Sequence, residues 1–323
     1  MTTADLIFKI SQLVIALAVF AAAFGLILFL IDRAPKRGRD AVQLLAFLLP
    51  ALILLGVGLI YPAIRTTVLA FGDSDGDFIG VDNFIWAFTQ PAGLISLRNT
   101  VIWVVLVPAI STSVGLAYAV FIDKSRGERF YKALVFMPMA ISFVGAGVIW
   151  RFVYEYRPAG GEQIGLLNQL VVWFGGEPVR WLQDPPANTL LLIVVMIWVQ
   201  TGLAMVILSA AIKGVPTEQM EAAEIDGTNA WQRFRNVTVP GIRSSLVVVV
   251  TTISIATLKV FDIVRTMTAG NFETSVVANE MYTQAFRAGE AGRGAALALI
   301  LFVLVLPIVI YNIRVLKQQK EIR

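Results

Sequence analysis

Polar side chains that could bind a ligand are concentrated in one apolar segment near residue 255. The segment carries four hydroxyl groups followed by two opposite charges: Thr251, Thr252, Ser254, Thr257, Lys259 and Asp262. Because a hydroxyl both donates and accepts hydrogen bonds, such a stripe suits a ligand with many neutral polar groups, for example a sugar. The same hydroxyls could instead bond one helix to another inside a bundle. Lys259 and Asp262, three residues apart, could form an ion pair within one helix near a membrane surface.

A second set of candidate ligand contacts lies in the preceding apolar segment, between residues 198 and 202. The indole of Trp198 offers an aromatic face on which a pyranose ring could stack. Gln200 offers an amide that both donates and accepts, and Gly202 lets another backbone approach closely. Packing in an ordinary helical bundle would use the same three residues, and the sequence alone leaves both alternatives open.

Several classes of chemistry are excluded by the composition. The chain has neither cysteine nor histidine, which removes disulfide bonds, thiol and imidazole catalysis, and the commonest ligands of transition metals. It has no Gly-x-x-x-x-Gly-Lys-Ser/Thr run that would bind the phosphates of ATP, and no Ser/His/Asp or Cys/His set for nucleophilic catalysis. The sequence therefore predicts no catalytic residue, no metal site and no cofactor bound by this chain.

The overall composition is that of a membrane protein. Of the 323 residues, 57% are hydrophobic and 15% are charged, and the mean hydropathy is +0.76, whereas about 25% of the residues of a soluble domain are charged. Because a helix needs about 20 apolar residues to cross a bilayer, the hydropathy pattern predicts an all-α polytopic fold. The seven predicted spans are Ser11–Ile31, Val42–Tyr61, Thr100–Phe121, Ala133–Tyr154, Asn188–Ile212, Ser244–Phe261 and Ala295–Tyr311.

The distribution of Lys and Arg predicts the orientation of the chain. Most of the 26 Lys and Arg residues fall in alternate connecting segments, and the richer set should face the cytoplasm. The amino terminus is then outside and the carboxy terminus inside. The ten remaining residues lie mostly in the poorer, outward set: Lys9, Arg65, Arg98, Arg151, Arg157, Arg180, Lys259, Arg265, Arg287 and Arg293. This asymmetry explains the net charge of +4 without a nucleic-acid partner. The cytoplasmic clusters are at residues 33–39, 124–132, 213–243 and 314–323.

Three of the outward segments are long: Phe71–Arg98, Glu155–Ala187 and Val264–Gly294. They combine Gly, Pro, Asn and Asp, which favour turns, with aromatic side chains such as those of Trp86 and Trp181. The aromatic side chains could anchor the loops among lipid headgroups, which would make membrane lipid the partner. They could instead form a docking surface for a protein outside the membrane.

A polar segment at residues 214–240 separates two long apolar segments on the cytoplasmic side. Gly227 is a natural left-handed terminator for a first short helix. Asn229 and Gln232, three residues apart, fit a capping box at the start of a second one. Pro240 disfavours helix at the residue before it, so it predicts a break ahead of the sixth span.

The apolar residues of this segment leave its role open. The small Ala222–Ala223 pair would allow close approach by another surface, and Trp231 and Phe234 share one side of the second helix. An amphipathic loop lying on the headgroups would have the same composition. The alternative is a protrusion that docks into a cleft of a soluble partner.

The spacing within this segment resembles the signature loop of ATP-binding-cassette importer permeases. That signature is Glu-Ala-Ala, three residues, Gly, nine residues, and then apolar-x-apolar-Pro. Here Glu221-Ala222-Ala223, Gly227 and Val237-x-Val239-Pro240 occupy it at that spacing, with valines where Ile and Leu are commoner. The resemblance implies short coupling helices that sit in a groove of an ATPase subunit. It assigns ATPase coupling to Glu221, Ala222, Ala223, Asp226, Gly227 and Pro240.

From about residue 41 onward, the chain also looks like the carbohydrate branch of that family, the maltose and α-glucoside type permeases. The stretches that carry the likeness are Phe78–Phe84, Gly165–Asn168, Trp181–Asp184, Leu258–Asp262 and Met267–Asn271. The resemblance implies a permease domain at 41–323 with a six-helix core and a coupling loop at about 214–240. Residues 1–40 would then be an extra transmembrane helix and a cytoplasmic linker.

By the same resemblance, the fourth, fifth and sixth segments line the sugar path, and Ser142 of the fourth segment lies near a matching stretch. Together with the candidates named from residue type, the predicted path residues are Ser142, Trp198, Gln200, Gly202, Ser254, Thr257, Lys259 and Asp262.

The resemblance implies one permease subunit of a sugar importer in the inner, cytoplasmic membrane of a bacterium, working by alternating access. The solute would be an α-glucoside, maltose or maltodextrin, or trehalose. The implied partners are a second homologous permease, an ATPase dimer that binds ATP and Mg, and an extracytoplasmic sugar-binding protein. Two alternatives stay open: an ion-coupled secondary sugar transporter, and a permease of the same family for another solute, such as a glycerol-phosphate compound.

Overall fold

The computed structural model describes residues 8–12, 14–15, 17–18, 21–22, 24–25, 29, 39–122 and 125–321. The chain divides into two compact units, Met1–Thr66 and Thr67–Arg323. About half of the predicted first span, Ser11–Ile31, lies outside the described residues, as does most of the linker that follows it. The boundary predicted at residue 40 stays a prediction.

The described chain is helical, which confirms the predicted all-α fold class. Two π-helical turns, Gly56–Ile60 and Phe234–Thr238, and one 3₁₀ turn, Met137–Ala140, lie between the α-helices. The α-helices are, in chain order, α1 (Arg39–Leu55), α2 (Tyr61–Leu69), α3 (Asp82–Thr89), α4 (Pro91–Ile122), α5 (Glu128–Phe136), α6 (Phe143–Val153), α7 (Leu166–Trp173), α8 (Ala187–Lys213), α9 (Thr217–Ile225), α10 (Ala230–Arg233), α11 (Val239–Gly241), α12 (Arg243–Leu258), α13 (Asp262–Met267), α14 (Val277–Phe286) and α15 (Ala291–Glu321).

Helices long and apolar enough to cross a bilayer account for the predicted spans. Two of the spans are long enough only if two helices that meet at a bend are counted as one span. These pairs are Glu128–Ala140 with Phe143–Val153, and Ala230–Gly241 with Arg243–Leu258. Together with the straight helices they coincide with the six spans predicted after the first, and they confirm a multi-pass membrane protein. Within the described ranges, the straight spans are Gln43–Leu69, Pro91–Ile122, Ala187–Lys213 and Ala291–Val315.

The predicted fourth span, Ala133–Tyr154, is a bent pair of helices and not one continuous helix. Its two halves meet at 101°, because Ile141 and Ser142 both have extended backbone, with ψ of 137° and 152°. The Ser142 hydroxyl then accepts a hydrogen bond from the Gly145 N–H at 3.1 Å and caps α6. Pro138 and Ser142 are the signs of this break in an otherwise apolar run.

The sixth span ends earlier than predicted, at Leu258 instead of Phe261. The Val260 N–H bonds to the Thr257 carbonyl at 3.0 Å, an i→i+3 bond that closes the last turn of α12. Lys259 is therefore the residue after α12, and Asp262 is the first residue of α13. The prediction that they pair within one helix was wrong, and no ion pair joins them in the described part of the chain.

The break expected at Pro240 lies two residues later. Val239 is helical, with φ of −61° and ψ of −46°, and its N–H bonds to the Phe234 carbonyl across the π-helical turn. This wider turn precedes the proline, which lies in the first turn of α11, where its missing N–H costs little. The chain bends by 69° between Ala230–Gly241 and Arg243–Leu258.

The contact between α4 and α8 forms the centre of the second unit. Trp103 of α4 and Leu192 and Met196 of α8 are fully buried there. A Cβ atom added at Gly115 of α4 would lie 2.5 Å from the Cβ of Ala204 in α8. Small residues thus bring the two backbones together, as is usual for helices packed in lipid.

Candidate functional site

Residues Thr217–Thr238 fold into a short helical hairpin that connects the end of α8 to α11 and α12. α9 ends at Ile225, and Asp226 is its C-cap residue. Gly227 follows with a φ of 75°, which confirms the predicted left-handed terminator. An added Cβ at position 227 would have no heavy atom within 4 Å. Glycine is favoured there by the backbone conformation and not by a lack of space. The predicted capping box is also present, since Asn229 and Gln232 exchange bonds of 2.9 and 2.8 Å.

Hydrogen bonds and one ion pair join α9, the turn and α10, which are the two arms of the hairpin and the turn between them. The Arg233 guanidinium reaches the Glu224 carboxylate at 3.2 Å and the Thr228 carbonyl at 2.8 Å. The Thr228 hydroxyl in turn donates to the Ala223 carbonyl at 2.5 Å. The hairpin therefore keeps its shape through its own polar groups, although most of its side chains are exposed.

Large apolar side chains of the hairpin point into the surroundings. Ile225 is 86% exposed and Trp231 is 65% exposed, and the Trp231 ring rests against Phe234 with 5.5 Å between centroids. Ala222 is exposed and Ala223 is half-buried. Exposed aromatic and aliphatic side chains in a polar segment mark a surface for contact with another molecule. The other predicted coupling residues are exposed as well: Glu221, Asp226, Gly227 and Pro240.

The start of the hairpin is tied to α5 by charge. The Glu128 carboxylate accepts bonds from Lys213, the last residue of α8, at 2.6 Å and from Lys132 at 2.7 Å. Lys132 also donates to the Ser209 hydroxyl of α8 at 2.5 Å. These contacts fix the end of α8 from which the hairpin begins. They join residues far apart in the chain, so residue type and spacing did not predict them.

Two of the predicted path residues lie where α5 and α6 meet α8. A Cβ added at Gly202 would be 2.8 Å from the Val135 carbonyl oxygen and 3.1 Å from the Cα of Phe136. The close backbone approach predicted for Gly202 is therefore real. Ser142 is exposed and its hydroxyl caps α6.

Trp198, which was predicted to stack on a sugar, is one of three aromatic residues in contact with each other in sequence. Trp198 is half-buried and meets Trp150 of α6 edge to face, with 5.7 Å between centroids and 70° between planes. Trp150 contacts Tyr154 at 5.3 Å. Gln200, near Trp198 on α8, is 6% exposed.

The hydroxyl groups of α12 make bonds within the bundle. Thr257 is fully buried and donates to the Ile253 carbonyl at 2.7 Å. Thr251 accepts a 2.7 Å bond from Asn312 of α15. These bonds favour the helix-packing alternative for both threonines. Ser254 is 7% exposed.

A cavity of about 340 Å³ lies at the end of α8 opposite the hairpin. The sequence-predicted path residues do not line it, and Lys259 and Asp262 are exposed and half-buried respectively. Arg151, Arg180 and Arg265 contribute to its wall, and we call it the arginine cavity. These arginines are three of the ten Lys and Arg residues outside the predicted cytoplasmic clusters, and nothing in the sequence groups them. The available signal was three arginines in segments that the Lys and Arg distribution predicts to face outward.

Comparison with known proteins identifies the class. Residues 109–320, more than half of the 323, match the family described as binding-protein-dependent transport system inner membrane component. The chain belongs to this family and is a permease of an ATP-binding-cassette importer. The resemblance noted in the sequence is thereby confirmed.

Two relatives share about half of their residues with this chain. The osmoprotective compounds uptake permease protein GgtC of Synechocystis sp. is 50% identical over 278 residues, which are 86% of this chain and 100% of that protein. The alpha-glucoside transport system permease protein AglF of Rhizobium meliloti is 49% identical over 270 residues, 83% of this chain and 80% of that protein.

A solved structure has the same fold. The crystal structure of a bacterial ABC transporter involved in the import of the acidic polysaccharide alginate matches 88% of this chain and 98% of that chain, with a TM-score of 0.75. The two sequences are 22% identical, so the likeness shows the fold and not the solute.

Proposed function

We propose that this permease carries an α-glucoside or a similar small sugar into the cell, with trehalose, maltose and maltodextrins as the candidates to test. The exposed helical hairpin at the end of α8 carries the importer part of this proposal, since it offers Ile225 and Trp231 to a partner. The solute class is supported by the names of the two relatives with 50% and 49% identity, which refer to osmoprotective compounds and alpha-glucosides.

The hairpin would receive the movement of a separate ATPase. ATP and Mg would bind to an ATPase dimer in the cytoplasm, and closure of that dimer would move the hairpin and switch the bundle between its two orientations. Each step needs a difference in binding free energy between the two orientations. The predicted coupling residues, Glu221 to Ala223, Asp226, Gly227 and Pro240, would contact the ATPase or set the shape of the hairpin.

The other partners follow from the same proposal. A second homologous permease would complete the bundle, and a sugar-binding protein outside the cell would deliver the solute, as the family's description implies for binding-protein-dependent transport. The excess of Lys and Arg at 33–39, 124–132, 213–243 and 314–323 supports an inner-membrane protein with its amino terminus outside and its carboxy terminus in the cytoplasm.

Transport by the reconstituted complex tests this function. The two permeases and the ATPase would be placed in proteoliposomes with the binding protein, and uptake of radiolabelled trehalose, maltose and an α-glucoside would be measured. We expect saturable uptake of one of these sugars that requires ATP and the binding protein. Uptake driven by an ion gradient alone would instead support the secondary-transporter alternative. Uptake of a glycerol-phosphate diester and none of the sugars would reassign the solute.

A further inference from the structure

We propose that the arginine cavity is a binding site for a carboxylate group. It lies at the end of α8 opposite the ATPase-facing hairpin, where Arg151, Arg180 and Arg265 line it together with a single carboxylate, that of Glu155. A cavity bounded by several like charges attracts an anion, since an added negative charge relieves their mutual repulsion.

The charge of these three arginines is not neutralised inside the chain. Elsewhere in the second unit, Arg98, Arg233 and Arg293 each form an ion pair with a glutamate, at 3.4, 3.2 and 3.6 Å. Across the part of the chain that the structure describes, the arginines of the cavity have no such partner. The cavity therefore concentrates unpaired positive charge.

Aromatic rings hold two of the guanidinium groups in place. Arg265 lies over the Tyr282 ring with 4.7 Å to its centroid, and Arg180 lies over Tyr156 at 5.4 Å. The Nη1 atom of Arg265 is buried and has no hydrogen-bond partner within the described residues. A planar guanidinium that stacks through its face keeps the donors on its edge for a carboxylate, which it can bind through two parallel bonds.

One wall of the cavity is held in a strained conformation. Ala269 and Phe272 line the cavity, and both have a φ of 56°, while the next residue, Glu273, has a φ of 57°. Side-chain amides clamp this wall, because Asn188 donates to the Phe272 carbonyl at 2.7 Å and Asn99 donates to the Glu273 carbonyl at 2.6 Å. Strain that the surrounding structure maintains in this way is typical of ligand sites.

The carboxylate has two candidate sources. A volume of about 340 Å³ is in the range of small-molecule sites and admits an acidic sugar such as a hexuronate. The same opening admits an Asp or Glu side chain of a protein docked on this face. The arginines would bind the carboxylate in the same way in both cases, so the experiment must distinguish a free acidic sugar from a side chain of a docked protein.

The test compares Arg265→Gln with Arg157→Gln in the complete importer, purified in lipid nanodiscs. Arg157 is a matched control, since it is an exposed arginine that bonds to the Glu162 carbonyl at 3.4 Å and does not line the cavity. The first arm measures binding of glucuronate, with glucose as the neutral comparison, in the absence of the binding protein. The second arm measures the affinity of the binding protein for the importer.

We expect Arg265→Gln to weaken binding about tenfold or more in one arm, the usual effect of removing a charged hydrogen-bond donor. Loss in the first arm assigns the carboxylate to a small acidic sugar, and loss in the second assigns it to the binding protein. Arg180→Gln, at an exposed position, should reproduce the result without a risk to folding. Equal binding in all variants would overturn the proposal, and so would an equal loss of glucose binding.

The second arm rests on the proposed function, because it requires a binding protein that docks on this permease. Uptake of the sugar by the unaltered importer is therefore measured in the same preparation. If unaltered importer transports no sugar, the proposed function fails, whereas intact uptake with no effect of Arg265→Gln or Arg180→Gln in either arm rejects the carboxylate site alone.

Discussion

Arg233 and Glu224 face each other across the turn at Gly227, with 3.2 Å between the Nη2 and Oε1 atoms. The Glu224 side chain is 65% exposed, so the ion pair alone contributes less than about 1 kcal/mol. Arg233 is better buried and also bonds to the Thr228 carbonyl at 2.8 Å. One guanidinium therefore joins α9, the turn and α10, and it holds the hairpin in one shape.

Gly227→Ala should uncouple ATP hydrolysis from uptake. The φ of 75° is unfavourable for alanine by about 1–2 kcal/mol, while the space around the position is open, so the bundle should still fold. We expect the ratio of sugar taken up to ATP hydrolysed to fall, by up to about tenfold if the hairpin loses its shape. Proteoliposomes with both quantities measured in one sample provide the test.

Gly160→Ala is the matched control for that substitution. Gly160 also has a positive φ, 87°, and no atom within 4 Å of an added Cβ, but it lies in the loop between α6 and α7. The backbone cost is the same, and the ratio should not change. If both variants lowered the ratio equally, a general loss of stability would explain the effect and the role of the hairpin would be refuted.

Arg233→Gln should weaken the association of the ATPase with the permease. The change removes the bond to Glu224 and weakens the bond to Thr228. Together these two bonds stabilise the packing of α9 against α10 by about 1–2 kcal/mol, after allowance for the exposure of Glu224. The dissociation constant of the ATPase, measured by biolayer interferometry on nanodiscs, should rise several-fold. Arg235→Gln changes an exposed arginine of the same segment and should leave the constant unchanged; an equal rise there would argue for simple charge loss.

Gly202→Ala should destabilise the bundle. The added Cβ would lie 2.8 Å from the Val135 carbonyl oxygen. Because the nearest atoms belong to the backbone, no side-chain rotation can relieve the clash. We expect the free energy of unfolding to fall by about 1–3 kcal/mol. The thermal unfolding midpoint of the purified complex should drop. Gly56→Ala, where an added Cβ meets nothing within 4 Å, should leave the midpoint unchanged or raise it. An unchanged midpoint in Gly202→Ala would contradict the close contact.

Thr251→Val separates helix packing from sugar binding. Valine keeps the shape but leaves the Asn312 amide without its acceptor at 2.7 Å, which should cost about 0.6 kcal/mol, the average for such bonds in a membrane. We expect lower thermal stability and an unchanged KM for sugar uptake. Thr252→Val, at the exposed neighbouring position, controls for the loss of a hydroxyl. A KM raised in Thr251→Val and not in Thr252→Val would indicate that the Thr251 hydroxyl binds the sugar.

Residue type and spacing were sufficient to predict the local features. The apolar runs predicted the spans, and Gly227, Asn229 and Gln232 predicted the turn and the cap of the hairpin, because these structures depend on residues close together in the chain. The short break at Ile141 and Ser142 escaped prediction, because hydropathy averaged over a span does not register two extended residues.

The arginine cavity could not be predicted for a different reason. Arg151, Arg180 and Arg265 come from three separate segments, and only the packing of α6 and α13 against α8 brings them together. The hydroxyl groups of α12 were ambiguous because a threonine that binds a sugar and a threonine that bonds to Ile253 or Asn312 look alike in the sequence.

Within the second unit, the uninterrupted helix α8 extends from the arginine cavity to the start of the hairpin. Near its first turn, Asn188 is bonded to the wall of the arginine cavity, and its last residue, Lys213, is bonded to Glu128 at the root of the hairpin. At 1.5 Å per residue, Ala187–Lys213 is about 40 Å long. A rigid helix of that length that tilts by about 5° displaces one end by about 3.5 Å relative to the other. A displacement of α8 at Lys213 would therefore be transmitted to the Asn188 end through a single secondary-structure element.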